Sequence, residues 1–162
     1  MTVYGLSPIS FGSVSMVTAT LGANDPEVGM TRDDGDEKYI FVYNNGNSQI
    51  SVGEGATLSA VTGYSVTVSS VTHSDYPVGV CKHATLTTGT YGWLLTRGFS
   101  PAKAGPDSGI ATGNALTLGA DGRWQAKSNS TAYSQVHLPP VFGKCVLSGD
   151  SAATGWAFFN IA

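Results

Sequence analysis

Charge is scarce in this sequence. Asp, Glu, Lys and Arg make up 12% of 162 residues, about half the usual share. The eight basic residues form no cluster and the formal net charge is -3, so no nucleic-acid partner is expected, because phosphate binding needs grouped Lys and Arg. Cysteine is almost absent: Cys81 and Cys145 are the two, fewer than a small secreted disulfide scaffold carries. Each lies in an apolar stretch, which suits a buried thiol acting as a small hydrophobe; a disulfide between them is the alternative. No stretch approaches the 18 or so unbroken apolar residues of a membrane-spanning helix, so no membrane partner is expected. The first twenty residues lack a basic start, and Ser7, Pro8, Ser10, Gly12, Ser13 and Ser15 interrupt any apolar run, unlike a secretory signal. Synthesis in a cytoplasm is the expectation.

What is abundant is glycine, serine and threonine, together roughly a third of the chain. That composition argues against helix bundles and coiled coils, which need strong helix formers at helical spacing. Hydrophobic residues still reach 41%, enough for a packed core and too many for charge-rich disorder. Strand signals are regular from Tyr39 onward. Tyr39–Tyr43 is a run of β-formers, Asn45-Gly46 suits a type I′ turn, and residues 48–52 return, which predicts a hairpin. Residues 58–62 and 64–69 follow; in the latter Tyr64, Val66 and Val68 alternate with hydroxyls. Further strands are expected over 78–81, 83–88, 91–97, 115–118, 123–126, 141–147 and 156–161, with Asp121-Gly122 as a second hairpin turn. Short strands with frequent turn signals predict an all-β protein, a small β-barrel or sandwich of short antiparallel strands with an irregular N-terminal arm.

Residues 1–35 read differently from the single barrel or sandwich domain expected over 36–162. Isolated apolar residues, among them Tyr4, Leu6, Ile9, Phe11 and Met16, recur there without a period. Two readings stand: an arm that orders on a partner and fills its pockets, or a segment packed on its own barrel. Six of the eleven acidic residues fall between Asp25 and Glu37. The run Asp33-Asp34-Gly35-Asp36-Glu37 lacks the ligand spacing and distal Glu of an EF-hand, so a solvated turn entering the next strand is expected.

Candidate chemistry is sparse. His73-Ser74-Asp75 holds three triad residue types, but adjacent strand residues point to opposite faces, whereas triads converge from separate segments. His83 and His137 have no metal-ligand spacing. Glu54, Asp75, Asp107, Asp121 and Asp150 are the acids available to a glycoside hydrolase, and most adjoin glycine or sit in turns. Trp93, Trp124 and Trp156, with Tyr64, Tyr76, Tyr91 and Tyr133, supply either barrel core, a sugar-stacking platform or interface hot spots. Trp93 and Arg97 lie four apart on an expected strand and are expected to share a face.

The segments Gly35-Asp36-Glu37-Lys38-Tyr39-Ile40-Phe41-Val42, Tyr91-Gly92-Trp93-Leu94-Leu95-Thr96-Arg97-Gly98 and Ala111-Thr112-Gly113-Asn114-Ala115-Leu116-Thr117-Leu118 resemble those of capsid decoration (cement) proteins of tailed bacteriophages. The resemblance spans roughly residues 33–120. It implies a β-rich barrel on the outside of an icosahedral head, often a homotrimer, that ties together capsomers of the major capsid protein. It implies no catalysis and no cofactor. The sequence expectation is therefore a non-enzymatic virion protein whose contacts are Tyr4, Leu6, Ile9, Phe11, Met16, Trp93 and Arg97. The alternative is a tail or fibre module that binds host-surface glycans through exposed aromatics.

Overall fold

The computed structural model describes residues 13–59, 63–68, 77–105, 110–126, 143–147 and 154–161. Their elements are β1 (Val17–Thr18), β2 (Thr31–Asp34), β3 (Glu37–Asn44), β4 (Gly55–Leu58), β5 (Ser65–Val68), β6 (Pro77–Val80), β7 (Tyr91–Lys103), β8 (Ala115–Leu118), β9 (Trp124–Ala126), β10 (Gly143–Leu147) and β11 (Thr154–Asn160). The fold is all-β. Strands β3, β5, β4, β6 and β7 pair in that order, and β7 closes back onto β3 to make a five-stranded barrel. One departure from the expected antiparallel arrangement is the β3–β5 pair, which is parallel.

Strand β7 is thirteen residues long and continues past the barrel. Its second half pairs with β11, followed by β10, β8 and β9, and a parallel bridge from Ala104 to Trp124 brings β9 back towards β7. The sequence reading ends this strand at Arg97, whereas the structure carries it on through Gly98 and Pro101 to Lys103. Pro101 is tolerated for a geometric reason. The Lys103 N–H donates to the Gly53 carbonyl (2.9 Å), so the backbone nitrogen two residues earlier also faces away from β11, and proline forfeits no ladder bond there.

Two cores result. Inside the barrel, Ile40, Val42, Ile50, Ala56, Val66, Cys81, Leu86 and Leu94 pack together. Around the second half of β7, Val80, Ala102, Ala104, Ile110, Leu116, Leu118, Trp124, Ala157 and Phe159 form another. A third layer lies on the outer face of β3 and β7, where Tyr39, Phe41, Trp93 and Leu95 are covered by Val14, Met16, Val28 and Tyr91. Strand β3 is thus buried on both faces, which is why Tyr39–Tyr43 reads as a continuous apolar run rather than an alternation.

The segment before the barrel follows the second of its two expected readings over residues 13–30. It lies on its own barrel, held by β1 against Tyr91 and Gly92 of β7 and by hydrogen bonds from Gly29 N–H to the Phe41 carbonyl (2.7 Å) and from Phe41 N–H to the Met30 carbonyl (2.9 Å). Gly92 permits this approach, because a Cβ there would sit 2.8 Å from Leu86 Cδ1 and 3.2 Å from the Met16 carbonyl. The chain is hydrogen-bonded across the expected boundary at residue 35/36. Asp34 pairs with Glu37, and Gly35 turns between them at φ 65, so the acidic run is the tip of a hairpin that belongs to the barrel. β2, at one end of the strand order among the described residues, is short and carries Arg32, Asp33 and Asp34, a composition that discourages pairing with another chain.

The expected Asn45-Gly46 hairpin is not formed. Neither residue has positive φ, and residues 48–52 contribute a single bridge, Ile50 to Leu86. The cause is Asn44, whose buried amide donates to the Ser48 and Leu86 carbonyls (both 3.0 Å) and accepts from Gly46 N–H (3.1 Å). Residues 83–88 likewise make no strand beyond Leu86. Asp121-Gly122 does turn between β8 and β9, both residues having positive φ (58 and 67).

The turn Gly53-Glu54-Gly55 joins the two cores. The Gly53 carbonyl accepts both the Lys103 N–H and the Trp124 indole N–H (3.0 Å). Glu54, 6% exposed, bonds Lys103 Nζ at 2.6 Å and the Ser51 N–H at 2.8 Å. Gly55 faces Leu118 and Trp124, where a Cβ would lie 2.6 Å and 2.7 Å from their side chains. Leu94→Ala and Phe159→Ala each empty one of the two cores, and each is expected to cost about 2–5 kcal/mol. Because β7 threads both, guanidinium unfolding of either variant should remain a single transition at a lower midpoint; two separated transitions would contradict the shared scaffold.

Candidate ligand-binding face

Beyond Arg97, β7 alternates strictly. Gly98, Ser100, Ala102 and Ala104 face inward and are buried, while Arg97, Phe99, Pro101 and Lys103 face outward. Strand β11 does the same, with Gly155, Ala157 and Phe159 buried and Trp156, Phe158 and Asn160 outside. The register sets Phe158 opposite Phe99 and Trp156 opposite Pro101. One outer face therefore carries Phe99, Phe158 and Trp156 side by side. Phe99 is 51% and Trp156 45% exposed. The rings of Phe99 and Phe158 meet edge to face, with centroids 5.2 Å apart and planes at 70°.

At the Arg97 end the face runs into a cleft of about 510 Å³, lined by Asp33, Asp36, Glu37, Lys38, Arg97, Phe99 and Phe158, with Gly35 and Gly98. Gly98 (φ 131) leaves room for Glu37, because a Cβ there would sit 2.9 Å from Glu37 Cγ. Asp33 is 3.6 Å from Lys38 Nζ. Glu37 is paired with Lys82 and accepts the Tyr39 hydroxyl proton. Since the phenol has one proton and gives it to Glu37, its oxygen accepts from His83 Nε2–H at 2.9 Å, which fixes the histidine tautomer. Asp36 and Arg97 have no ion-pair partner among the described residues.

Burial opposes the Glu37 charge, but hydrogen bonds from Lys82 and Tyr39 and the nearby positive charge outweigh it, so the carboxyl lies below its ordinary value. The Tyr39 phenol is pushed up by burial and by its bond to Glu37. Burial and the Lys82 ammonium hold His83 below its ordinary value of 6.5. Cys81 is a free, buried thiol that burial pushes up to about 11, so it carries little thiolate at neutral pH. The Cys145 side chain lies outside the described residues.

The expected contact residues scatter. Tyr4, Leu6, Ile9 and Phe11 lie outside the described residues. Met16 is half-buried against the Tyr39–Phe41–Trp93 layer of its own chain. Trp93 is 5% exposed in that layer, and its indole N–H has no hydrogen-bond partner among the described residues. Trp93 and Arg97 do not share an exposed face: the register against β3 slips between Leu95 and Arg97, and this bulge turns Arg97 out to solvent while Trp93 stays in. Of the three tryptophans, Trp93 and Trp124 are core and Trp156 is exposed. Phe99 and Phe158 were not singled out from sequence. Phe158 lay within the strand expected over 156–161, while Phe99 lay beyond the expected end at Arg97, where the alternation of small and large residues continues to Lys103. Glu54 is a buried ion-pair member and Asp121 a turn residue. His73, Asp75, Tyr76, Asp107, Tyr133, His137 and Asp150 lie outside the described residues. No group of three or more His, Cys, Asp or Glu positioned for a metal occurs among the described residues.

No family model and no curated protein matches this chain. Among solved structures it is similar to the N base of the head fiber gp8.5 of bacteriophage phi29, with a TM-score of 0.53 at 15% identity. The match covers 76% of this chain and 96% of that one. At that identity the likeness establishes a shared fold.

The Glu37–His83 cluster sets a pH dependence. A folded-state His83 held below 6.5 contributes stability in full above that pH and loses it as pH falls further; Glu37, held below 4.5, behaves likewise at lower pH. Thermal midpoints followed downward from neutral pH should therefore fall in two stages, below pH 6.5 and then below pH 4.5. His83→Phe should flatten the first stage and Glu37→Gln the second.

Proposed function

We propose that this chain is a non-enzymatic structural protein of a tailed-phage particle. It sits on the outside of the head as a homotrimer and strengthens contacts between capsomers of the major capsid protein. The observation that carries the reading is the fold shared with a head-fibre base over nearly all of that base. Low charge adds support, because charged residues are depleted in the centres of interfaces. So does the long shared strand, which makes a stiff body from two small cores.

Attachment runs through the residues ahead of the described segment, where Tyr4, Leu6, Ile9 and Phe11 alternate with small residues. Residues 13–30, packed on the barrel, give that end a fixed point of departure. Stabilisation follows from mass action. A protein that binds the assembled shell and not its separated parts adds about 2.7 kcal/mol per site at a hundredfold excess over Kd, and the gain recurs at every copy.

The test adds purified protein to heads that lack it. Co-sedimentation at fixed stoichiometry, density on the outer shell by cryo-electron microscopy and release of DNA at a higher temperature are the expected results. Removal of residues 1–12 should weaken head binding roughly tenfold or more, about 1.4 kcal/mol or above. Heads that neither retain the protein nor gain heat resistance would overturn the reading.

A further inference from the structure

The cleft and the outer face of β7 and β11 bring together three things that attachment through the N-terminal end leaves unused. Large aromatic rings stand in solvent, a concavity adjoins them, and two opposite charges at its rim have no ion-pair partner among the described residues. Phe99 and Trp156 are 51% and 45% exposed, although the same strands fill a core with Ala102, Ala157 and Phe159 on their other side. Their exposure is thus not forced by a shortage of inward positions. Trp156 and Phe158 are two residues apart on one strand, about 7 Å, and Phe99 lies opposite Phe158. The rings form a strip leading into the cleft.

The charges select the ligand. Asp33 is balanced by Lys38 and Glu37 by Lys82. That leaves Asp36, an acceptor, and Arg97, a five-donor fork, whose charges cancel. A phosphate or sulfate group would meet the surrounding carboxylates, and a cation would meet Arg97. A neutral molecule bearing many hydroxyls satisfies both the acceptor and the donor. Its C–H faces match flat aromatic rings, which offer apolar area with a negative π-face. A cavity near 510 Å³ falls within the usual range for small-molecule sites.

We propose that this cleft and strip bind a neutral oligosaccharide, with sugar faces stacked on Phe99 and Trp156 and hydroxyls bonded to Asp36 and Arg97. This goes beyond the head-attachment reading and does not depend on it.

The experiment titrates the free full-length protein with cellohexaose, maltohexaose and chitohexaose, with a heparin fragment as the anionic comparison. Trp93 and Trp124 are buried, so a ligand-induced change in tryptophan fluorescence reports Trp156, and Trp156→Phe should silence it. Calorimetry then supplies affinities. Saturable binding of at least one neutral oligosaccharide is expected. Phe99→Ala and Arg97→Met should each weaken it roughly tenfold or more, with Phe99→Tyr close to the parent and thermal midpoints unchanged. The proposal is overturned if no neutral oligosaccharide binds at millimolar concentration, if only the heparin fragment binds, or if the variants bind like the parent. Sedimentation that shows self-association through Trp156, abolished by Trp156→Ala, would also overturn it. Because heads are absent from the titration, its failure and the failure of head attachment are separate results.

Discussion

Two hydrogen bonds to one carbonyl hold this molecule together. The Gly53 oxygen receives the Lys103 backbone N–H and the Trp124 indole N–H, so the turn that leads into β4 is tied at once to the long strand and to the second core. Buried Glu54 adds an ion pair with the half-buried Lys103, and Gly55 leaves the space that Trp124 and Leu118 occupy. Breaking a buried pair by removing one partner is costly, because it strands the other charge. The consequence is that two cores too small to be secure alone behave as one body around β7.

That arrangement explains the placement of the exposed aromatics. The inner face of β7 beyond the barrel is made of Gly98, Ser100, Ala102 and Ala104, small residues that let Phe159 and Trp124 come close; their ring centroids are 4.6 Å apart. The large residues of the same strand are then on the outside. A rigid sheet presents them with fixed spacing, which a loop would not. The shared fold with a head-fibre base and the aromatic strip are therefore separate features: one concerns the scaffold, the other what this chain displays on it.

Much of the fold was legible in the sequence because period and turn chemistry agreed with the final packing. Tyr39–Tyr43, residues 64–69 and the Asp121-Gly122 turn fall in or beside strands as expected. The misses have particular causes. Asn45-Gly46 looked like a hairpin turn, but the buried Asn44 amide offered the backbone a different set of bonds. The strand expected to end at Arg97 runs on because Gly98 leaves room for Glu37 and the Pro101 nitrogen lies on the Gly53 side, where it forfeits no bond to β11. Arg97 and Trp93 looked coplanar until a one-residue bulge reversed the parity. For the candidate site, Arg97 and Trp156 were visible as residue types and Phe158 lay in an expected strand, whereas Phe99 lay beyond the expected end of its strand at Arg97. The acidic run and the aromatic strip are far apart in sequence and become neighbours only through the β3–β7–β11 pairing.

The charged border strand has a bearing on crowding. β2 is four residues long, carries Arg32, Asp33 and Asp34, and stands at the end of the strand order among the described residues. Where many identical copies are packed at high density, end strands of this kind are the places where sheets would otherwise fuse into continuous ribbons. One positive and two negative side chains there work against edge-to-edge pairing, so each copy stays a discrete unit.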